Sequence, residues 1–146
     1  MRFVEALRRP GLGAIAEVKR RSPSAGDLRP DADPAALAAG FERTGSAAVS
    51  ILVDERFGGS FDDLRAARAT AHLPLLAKGF FSTREQLEEA RASGADAVLL
   101  AVREDVPLHA AIEQVVSVLD DVDSARVHAR FDLIALGTQG HSALEN

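Results

Sequence analysis

Residues 44–52 read TGSAAVSIL, and residues 93–100 read SGADAVLL. Each stretch begins with a glycine that suits the end of a helix and continues as an uninterrupted apolar run that suits a buried strand. The echo indicates a repeated helix–strand unit. Because strands that are apolar throughout must be covered on both faces, the two stretches predict a parallel sheet packed against helices.

The rest of the chain extends this pattern on both sides. Helix starts are predicted where Asp33 precedes a proline and at two capping boxes, one from Ser60 to Asp63 and a fuller one from Ser82 to Glu85. A further helix is predicted over residues 107–119. The apolar runs that predict strands cover residues 14–18, 48–53, 74–77, 97–102 and 133–136.

The predicted order is therefore an N-terminal helix followed by five strands that alternate with four helices, in a single α/β domain spanning residues 1–146. A parallel sheet of about five strands suits an open doubly wound fold or a fragment of an eight-stranded barrel. Both architectures bind ligands beyond the carboxyl ends of the strands.

Composition excludes several classes of function. The formal charge of −5 and the pI near 5.3 argue against a nucleic-acid partner. No apolar run is long enough to span a membrane, and the first residues lack a signal-peptide core. The absence of cysteine excludes disulfides and thiolate metal sites and fits a cytoplasmic protein. The four histidines have no metal-ligand spacing, so no metal site is predicted.

The two lysines are the first candidate site residues. Lys19 and Lys78 are the only lysines among 17 basic residues, and each falls at the carboxyl end of a predicted strand. Glu17 should share a face with Lys19 because side chains alternate along a strand. Chemistry at the carboxyl edge would use such groups, and a compact ammonium differs from arginine in what it can do. The alternatives are chance, a Glu17–Lys19 ion pair that closes the sheet edge, and a Lys78 chain that only reaches solvent.

A second candidate is the loop RFGGS, in which Gly58, Gly59 and Ser60 lead into a helix. Glycines let backbone N–H groups approach a ligand, so the loop is a weak phosphate-binding signal. An ordinary loop that ends in a helix cap is the alternative.

Several motifs in order resemble the indole-3-glycerol phosphate synthase family. They are IAEVKRRSPSAG, DADPAALAAGFERTGSAAVSIL, FGGSFDDLRAAR, PLLAKGFF and SGADAVLL, and the resemblance covers about residues 1–102. It implies a (β/α)8 TIM barrel and a lyase of tryptophan biosynthesis, which closes the ring of 1-(2-carboxyphenylamino)-1-deoxyribulose 5-phosphate with loss of CO2 and water. It also implies no metal or organic cofactor.

The resemblance assigns a role to four residues. Lys78 matches the general acid that protonates the substrate carbonyl, and Lys19 matches the lysine that holds the anionic substrate near its carboxylate. Glu17 matches the carboxylate that orients this cluster. Ser22 matches a serine at the phosphate end of the site.

Two departures from the family pattern limit the expected activity. Gly79 stands where the family usually has aspartate. The resemblance ends near Val102, whereas a complete barrel needs about 250 residues. We therefore expect half of a barrel that resembles a carbon–carbon lyase, lacks the second half of the active site, and is weakly active or inactive alone. A homodimer or a complementing half-barrel would be its partner.

The end of the chain, FDLIALGTQGHSALEN at residues 131–146, resembles the last strand and glycine loop of the universal stress protein family, which has a flavodoxin-like fold. Gly137 and Gly140 would then bind phosphate or nucleotide; a plain strand is the alternative. In this interpretation residues 103–146 form a divergent helix–strand segment that completes the half-barrel sheet. The alternative function is a non-catalytic fold chimera or a small phosphate- or nucleotide-binding α/β module.

Overall fold

The computed structural model describes residues 2–81, 83–103 and 133–139. Among them, the helices are α1 Arg2–Leu7, α2 Pro34–Arg43, α3 Phe61–Thr70 and α4 Arg84–Ala92, with a short 3-10 helix η1 at Glu55–Phe57. The strands are β1 Ile15–Val18, β2 Arg21–Ser22, β3 Gly26–Asp27, β4 Ala48–Leu52, β5 Leu75–Lys78, β6 Ala97–Arg103 and β7 Leu133–Gln139.

Five of these strands form one parallel sheet in the order β1-β4-β5-β6-β7. The predicted α/β class and the five-stranded parallel sheet are confirmed. Apart from the separate β2–β3 hairpin, each described strand pairs with the next one along the chain, so the described sheet has no point at which the strand order reverses. A doubly wound sheet contains such a reversal, whereas a (β/α)8 barrel does not. The order of the described strands is therefore that of a barrel rather than of a doubly wound sheet.

The two faces of the sheet differ in what covers them. On one face, Val49, Ile51 and Leu75 form a buried core with apolar side chains of the helices, including Leu64 of α3 and Leu87 of α4. Burying a side chain of this size stabilises the fold by about 1.5–3 kcal/mol. Alternation along the strands places the candidate site on the other face.

At the amino end of that second face, Phe3 of α1 packs on Ala48, Leu76 and Ala97. The short helix α1 therefore closes the floor of this face. The carboxyl end of the same face carries polar residues, and Glu17, Ser50 and Lys78 belong to it.

Local signals define most helix ends as predicted. The Asp33 side chain accepts a hydrogen bond from the Ala35 N–H at the start of α2, and Pro34 is the first helical residue. The Asp63 carboxylate accepts from the Ser60 N–H at the start of α3. Gly45 and Gly94 follow α2 and α4 with φ of 85° and 104°, a conformation that glycine adopts without steric cost.

One predicted cap is wrong by a residue. Helix α4 is capped by Thr83, whose hydroxyl accepts from the Gln86 N–H at 3.4 Å, and the Gln86 side chain accepts in return from the Thr83 N–H at 3.2 Å. The predicted box joined Ser82, which lies outside the described residues, to Glu85. Both pairs have the required spacing of three residues, and the sequence alone does not choose between them.

Strand bounds also differ from the prediction. Strand β5 does end at Lys78 as predicted, with Lys78 in register with Leu52 and Leu99. The last strand continues to Gln139 instead of ending at residue 136. The helix predicted over residues 107–119 lies outside the described residues. The β2–β3 hairpin and η1 were not predicted, because elements of two or three residues leave no periodic signal.

Candidate functional site

The centre of the site is an ion pair that crosses the sheet. Lys78 Nζ lies 2.8 Å from Glu17 Oε2, and the two side chains remain about one third exposed, at 30% and 32%. Glu17 belongs to β1 and Lys78 to β5, and β4 lies between them. The pair therefore spans a strand at the carboxyl edge, where it is open to a ligand.

Lys19 does not share this pair, although strict alternation placed it beside Glu17. Strand β1 ends at Val18 and the chain enters the β2–β3 hairpin, so the alternation stops one residue before Lys19. The Lys19 ammonium lies instead 5.3 Å from the centre of the Phe57 ring, in a cation–π contact.

The ring of Phe57 belongs to an aromatic row along the carboxyl edge. It stacks on Phe80, with centroids 6.2 Å apart and planes at 14°, and the Arg56 guanidinium lies 4.0 Å from the centre of Phe80. Phe80 follows Lys78 by two residues. The row combines two aromatic faces with two cations, which suits an aromatic anion. Sequence reasoning missed it because Phe57 and Phe80 are far apart in the chain.

Asp54 holds one end of this row in place. Its carboxylate accepts from the Arg56 guanidinium at 2.6 and 2.8 Å and from the backbone N–H of Arg56 at 3.0 Å, and it also accepts from the Phe80 N–H at 3.4 Å. The side-chain bond from Arg56 lowers the pKa of Asp54; burial opposes this, and the two backbone bonds assist it. Asp54 therefore acts as an ionised clamp between the start of η1 and the end of β5.

A second arginine fixes the loop that follows β1. Arg20 makes two bonds to the Asp63 carboxylate, at 2.6 and 2.9 Å, and donates to the Gly58 carbonyl at 2.8 Å. The bond to Asp63 raises the pKa of Arg20 and outweighs desolvation by burial. This bidentate pair ties the loop to the start of α3.

Ser22 lies in β2, opposite Gly26. Its hydroxyl is 3.1 Å from that of Ser24, and both are accessible from solvent. The structure thus places Ser22 in the hairpin that follows Lys19. Its assignment to the phosphate end of the site stays a prediction.

The backbone N–H groups of the RFGGS loop, which would have to face a phosphate, instead donate to nearby acceptors of the protein. The N–H of Gly58 donates to Glu55 O and that of Gly59 to Asp54 O, while the N–H of Ser60 donates to Asp63. A Cβ at Gly59 would lie 1.9 Å from Leu52 O, so close packing against β4 requires glycine there. This geometry favours the loop-and-cap alternative, and phosphate binding by the loop stays a prediction.

The C-terminal glycines are only partly described. Gly137 lies within β7, in register with Ala101, rather than in a loop after the strand. Gly140 lies outside the described residues. Nucleotide binding at this end of the chain stays a prediction.

Among the described residues, no group of three histidine, aspartate or glutamate side chains is placed to hold a metal ion. No helix in those residues combines the length and apolar character that crossing a membrane requires.

A parallel sheet of consecutive βα units with polar groups at its carboxyl edge is the arrangement of the (β/α)8-barrel class of enzymes. Within that class, the chain belongs to the indole-3-glycerol phosphate synthase family, whose family model matches residues 1–119. The match passes the limit near Val102 that the motifs predicted, so part of the segment predicted to be divergent belongs to the family.

Two relatives show the same extent. The chain is 52% identical over 122 residues to the indole-3-glycerol phosphate synthase of Mycobacterium avium strain 104, which covers 82% of the chain and 42% of that protein. It is 50% identical over 122 residues to that of Saccharopolyspora erythraea, with 82% and 43% covered. The matched region thus spans less than half the length of these relatives.

One solved structure aligns only weakly with the chain. NadC from Streptococcus pyogenes aligns with a TM-score of 0.32 at 18% identity, covering 98% of this chain and 54% of that one. A likeness at this level carries no argument about fold or function.

Proposed function

We propose that this chain carries the lysine-bearing part of an indole-3-glycerol phosphate synthase site and acts in tryptophan biosynthesis in the cytoplasm. The observation that supports the proposal best is the Glu17–Lys78 pair, 2.8 Å across the carboxyl edge of the sheet. The family match supports this reaction, and the pair contains an ammonium of the kind that could serve as its general acid.

The exposed charges suggest how the substrate is held. Lys78 gives up its bond to Glu17 and donates a proton to the carbonyl of the carboxyphenylamino-deoxyribulose phosphate. Glu17 keeps the ammonium oriented until the ligand arrives. A lysine in this role needs a neighbour that positions it, because general acid catalysis depends first on geometry.

The aromatic row suggests the orientation of the ligand. The carboxyphenyl ring fits against the aromatic row of Phe57 and Phe80, and the Lys19 cation of the same row attracts its carboxylate. Ser22 would then contact the phosphate. The residue after Lys78 is Gly79, so the carboxylate that is usual in the family at this position is missing.

A second half-barrel, from a homodimer or a complementing chain, is the partner we propose. The outermost strands of the described sheet are β1 and β7, and Ile15 of β1 is 43% exposed. Unpaired strand edges recruit other strands. A partner that pairs with both edges would enclose the ligand.

Ligand fluorescence gives a direct test. The chain contains no tryptophan or tyrosine, so the carboxyphenylamino group of the substrate can be followed with little protein background. We expect saturable binding to the unsubstituted chain. The affinity should fall at least tenfold in Lys78→Ala, because the ligand loses a charge-assisted bond. Formation of the indole product is read in the same sample.

Arg8→Ala is the matched control, since it removes a cation just beyond α1, at the amino side of the molecule, and should leave the affinity unchanged. Equal binding by the unsubstituted chain and Lys78→Ala would contradict the proposal.

A further inference from the structure

Ser50 carries an unexplained hydroxyl. The residue is 3% exposed, and among the described residues its Oγ is a buried side-chain polar atom without a hydrogen-bond partner. A buried hydroxyl without a partner destabilises a fold, and such groups are uncommon. Alanine or valine would fill the position without that cost, so the hydroxyl needs a reason.

The position of Ser50 suggests the reason. It lies on β4, in register with Glu17 of β1 on one side and Leu76 of β5 on the other. Lys78 is in register with Leu52, two residues further along β4. Because Glu17 and Lys78 sit on the two strands that flank β4, their bridge passes over this strand between Ser50 and Leu52.

Residues in register on neighbouring parallel strands point to the same face, with the strands about 4.8 Å apart. Ser50 therefore lies beside Glu17 on the surface of the sheet, beneath the Glu17–Lys78 ion pair. In this structure the Lys78 ammonium holds the Glu17 carboxylate above the sheet.

We propose that Ser50 is a positioning residue that receives the Glu17 carboxylate when Lys78 turns to an anionic ligand; this rests on the proposed function. The Ser50 hydroxyl rotates about χ1 and donates to a carboxylate oxygen of Glu17. No covalent bond changes in this step.

The exchange of Lys78 for Ser50 as the partner of Glu17 has a simple electrostatic reason. When the ammonium leaves, Glu17 retains a negative charge with its only described ion-pair partner withdrawn. A hydrogen bond from a hydroxyl to a carboxylate is among the stronger ones in proteins. The hydroxyl thus lowers the free energy of the ligand-bound arrangement, which offsets the cost of leaving it without a partner in the free one.

The contact can be tested without substrate. Lys78→Met removes the ammonium and keeps a side chain of similar length, so it imitates the state in which Lys78 has turned away. The readout is the carboxyl 13C resonance of Glu17, assigned through Glu17→Gln. We expect Ser50→Ala to shift this resonance in the Lys78→Met background and to leave it in place when Lys78 is present.

Ligand affinity gives the second arm. Ser50→Ala should weaken binding of the fluorescent substrate about tenfold, the loss of one bond to a charged group, and Ser50→Thr should restore it. In a Glu17→Gln background Ser50→Ala should change nothing, whereas a purely structural effect would persist. Ser93→Ala is the matched control, because Ser93 is also buried, at 2% exposure, but caps α4.

The outcomes separate the two proposals. An unchanged Glu17 resonance on Ser50→Ala in Lys78→Met would overturn the role of Ser50, whatever the ligand does. A shifted resonance without any binding of the substrate by the unsubstituted chain would support the contact and overturn the proposed function. Should Lys78→Met fail to fold, Lys78→Gln serves as the same background.

Discussion

Two ion pairs lie at opposite ends of the parallel strands, one at the amino edge and one at the carboxyl edge. They have the same chemistry but different roles. At the amino edge, Asp96 accepts from Arg68 at 3.1 Å and from the Leu75 N–H at 2.9 Å, and its side chain is 9% exposed. At the carboxyl edge, Glu17 holds Lys78 by one bond and remains one third exposed.

The environment of the two cations differs in the same way. The Arg68 guanidinium also donates to the carbonyls of Ala71 and Leu73. Burial lowers the pKa of Arg68, against the field of Asp96. The Arg68 guanidinium is thus bonded to three acceptors of the protein itself, so that pair is structural. The pair at the carboxyl edge can exchange its partner for a ligand. This division matches the rule that barrels place stability at one end and chemistry at the other.

The amino-edge pair should show the largest effect on stability. Asp96→Ala leaves the partly buried Arg68 guanidinium without its carboxylate and the Leu75 N–H without an acceptor, so we expect a loss of about 3 kcal/mol in the free energy of unfolding. Urea unfolding measures it. Asp62→Ala is the matched control: its carboxylate is 86% exposed and pairs with Arg65, so its removal should cost less than about 1 kcal/mol. Equal losses in the two variants would break the comparison.

Asp54 is an intermediate case, a carboxyl-edge residue used for structure. Its folded-state pKa is lowered, chiefly by the Arg56 side chain, so its contribution is fully present above the unfolded-state pKa of about 3.9. That contribution is lost as the pH falls through the lower folded-state pKa. Unfolding free energies measured from pH 7 down to the acid limit should therefore fall less steeply for Asp54→Asn than for the unsubstituted chain, with a difference of order 1 kcal/mol.

Arg56→Ala removes the partner instead of the carboxylate and should flatten the same part of the curve. Parallel pH profiles in all three proteins would show that Asp54 is not held as an ionised clamp.

Local sequence signals predicted the framework of this molecule well. Strands β4 and β6 follow from uninterrupted apolar runs, and Asp33, Gly45 and Gly94 bound their helices because a cap depends on a few adjacent residues. Adjacent Ser82 and Thr83 were the exception, since each satisfies the same spacing rule.

The site was predictable only in part, because its contacts depend on strand order. The rarity of lysine singled out Lys19 and Lys78, but the sequence could not show that Glu17 meets Lys78 across β4. Nor could it show the isolation of the Ser50 hydroxyl, since its neighbours come from other strands. The extent of the family match was underestimated because the motifs that carry it end before the matched segment does.

The smallest effect on stability should come from Glu17→Gln, and this prediction sharpens the comparison most. The amide keeps the shape of the carboxylate and removes its charge. Because the pair is partly exposed, we expect the free energy of unfolding to change by less than about 1 kcal/mol. Lys78 is then free of its competitor, so the carboxylated, phosphorylated ligand should bind a few-fold more tightly in the fluorescence titration. Asp96→Asn, the same change at the other edge, should destabilise the protein and leave the affinity of the folded fraction unaltered. If Glu17→Gln instead destabilised the chain as strongly as Asp96→Asn, the carboxyl-edge pair would be structural too, and Lys78 would not be available to a ligand.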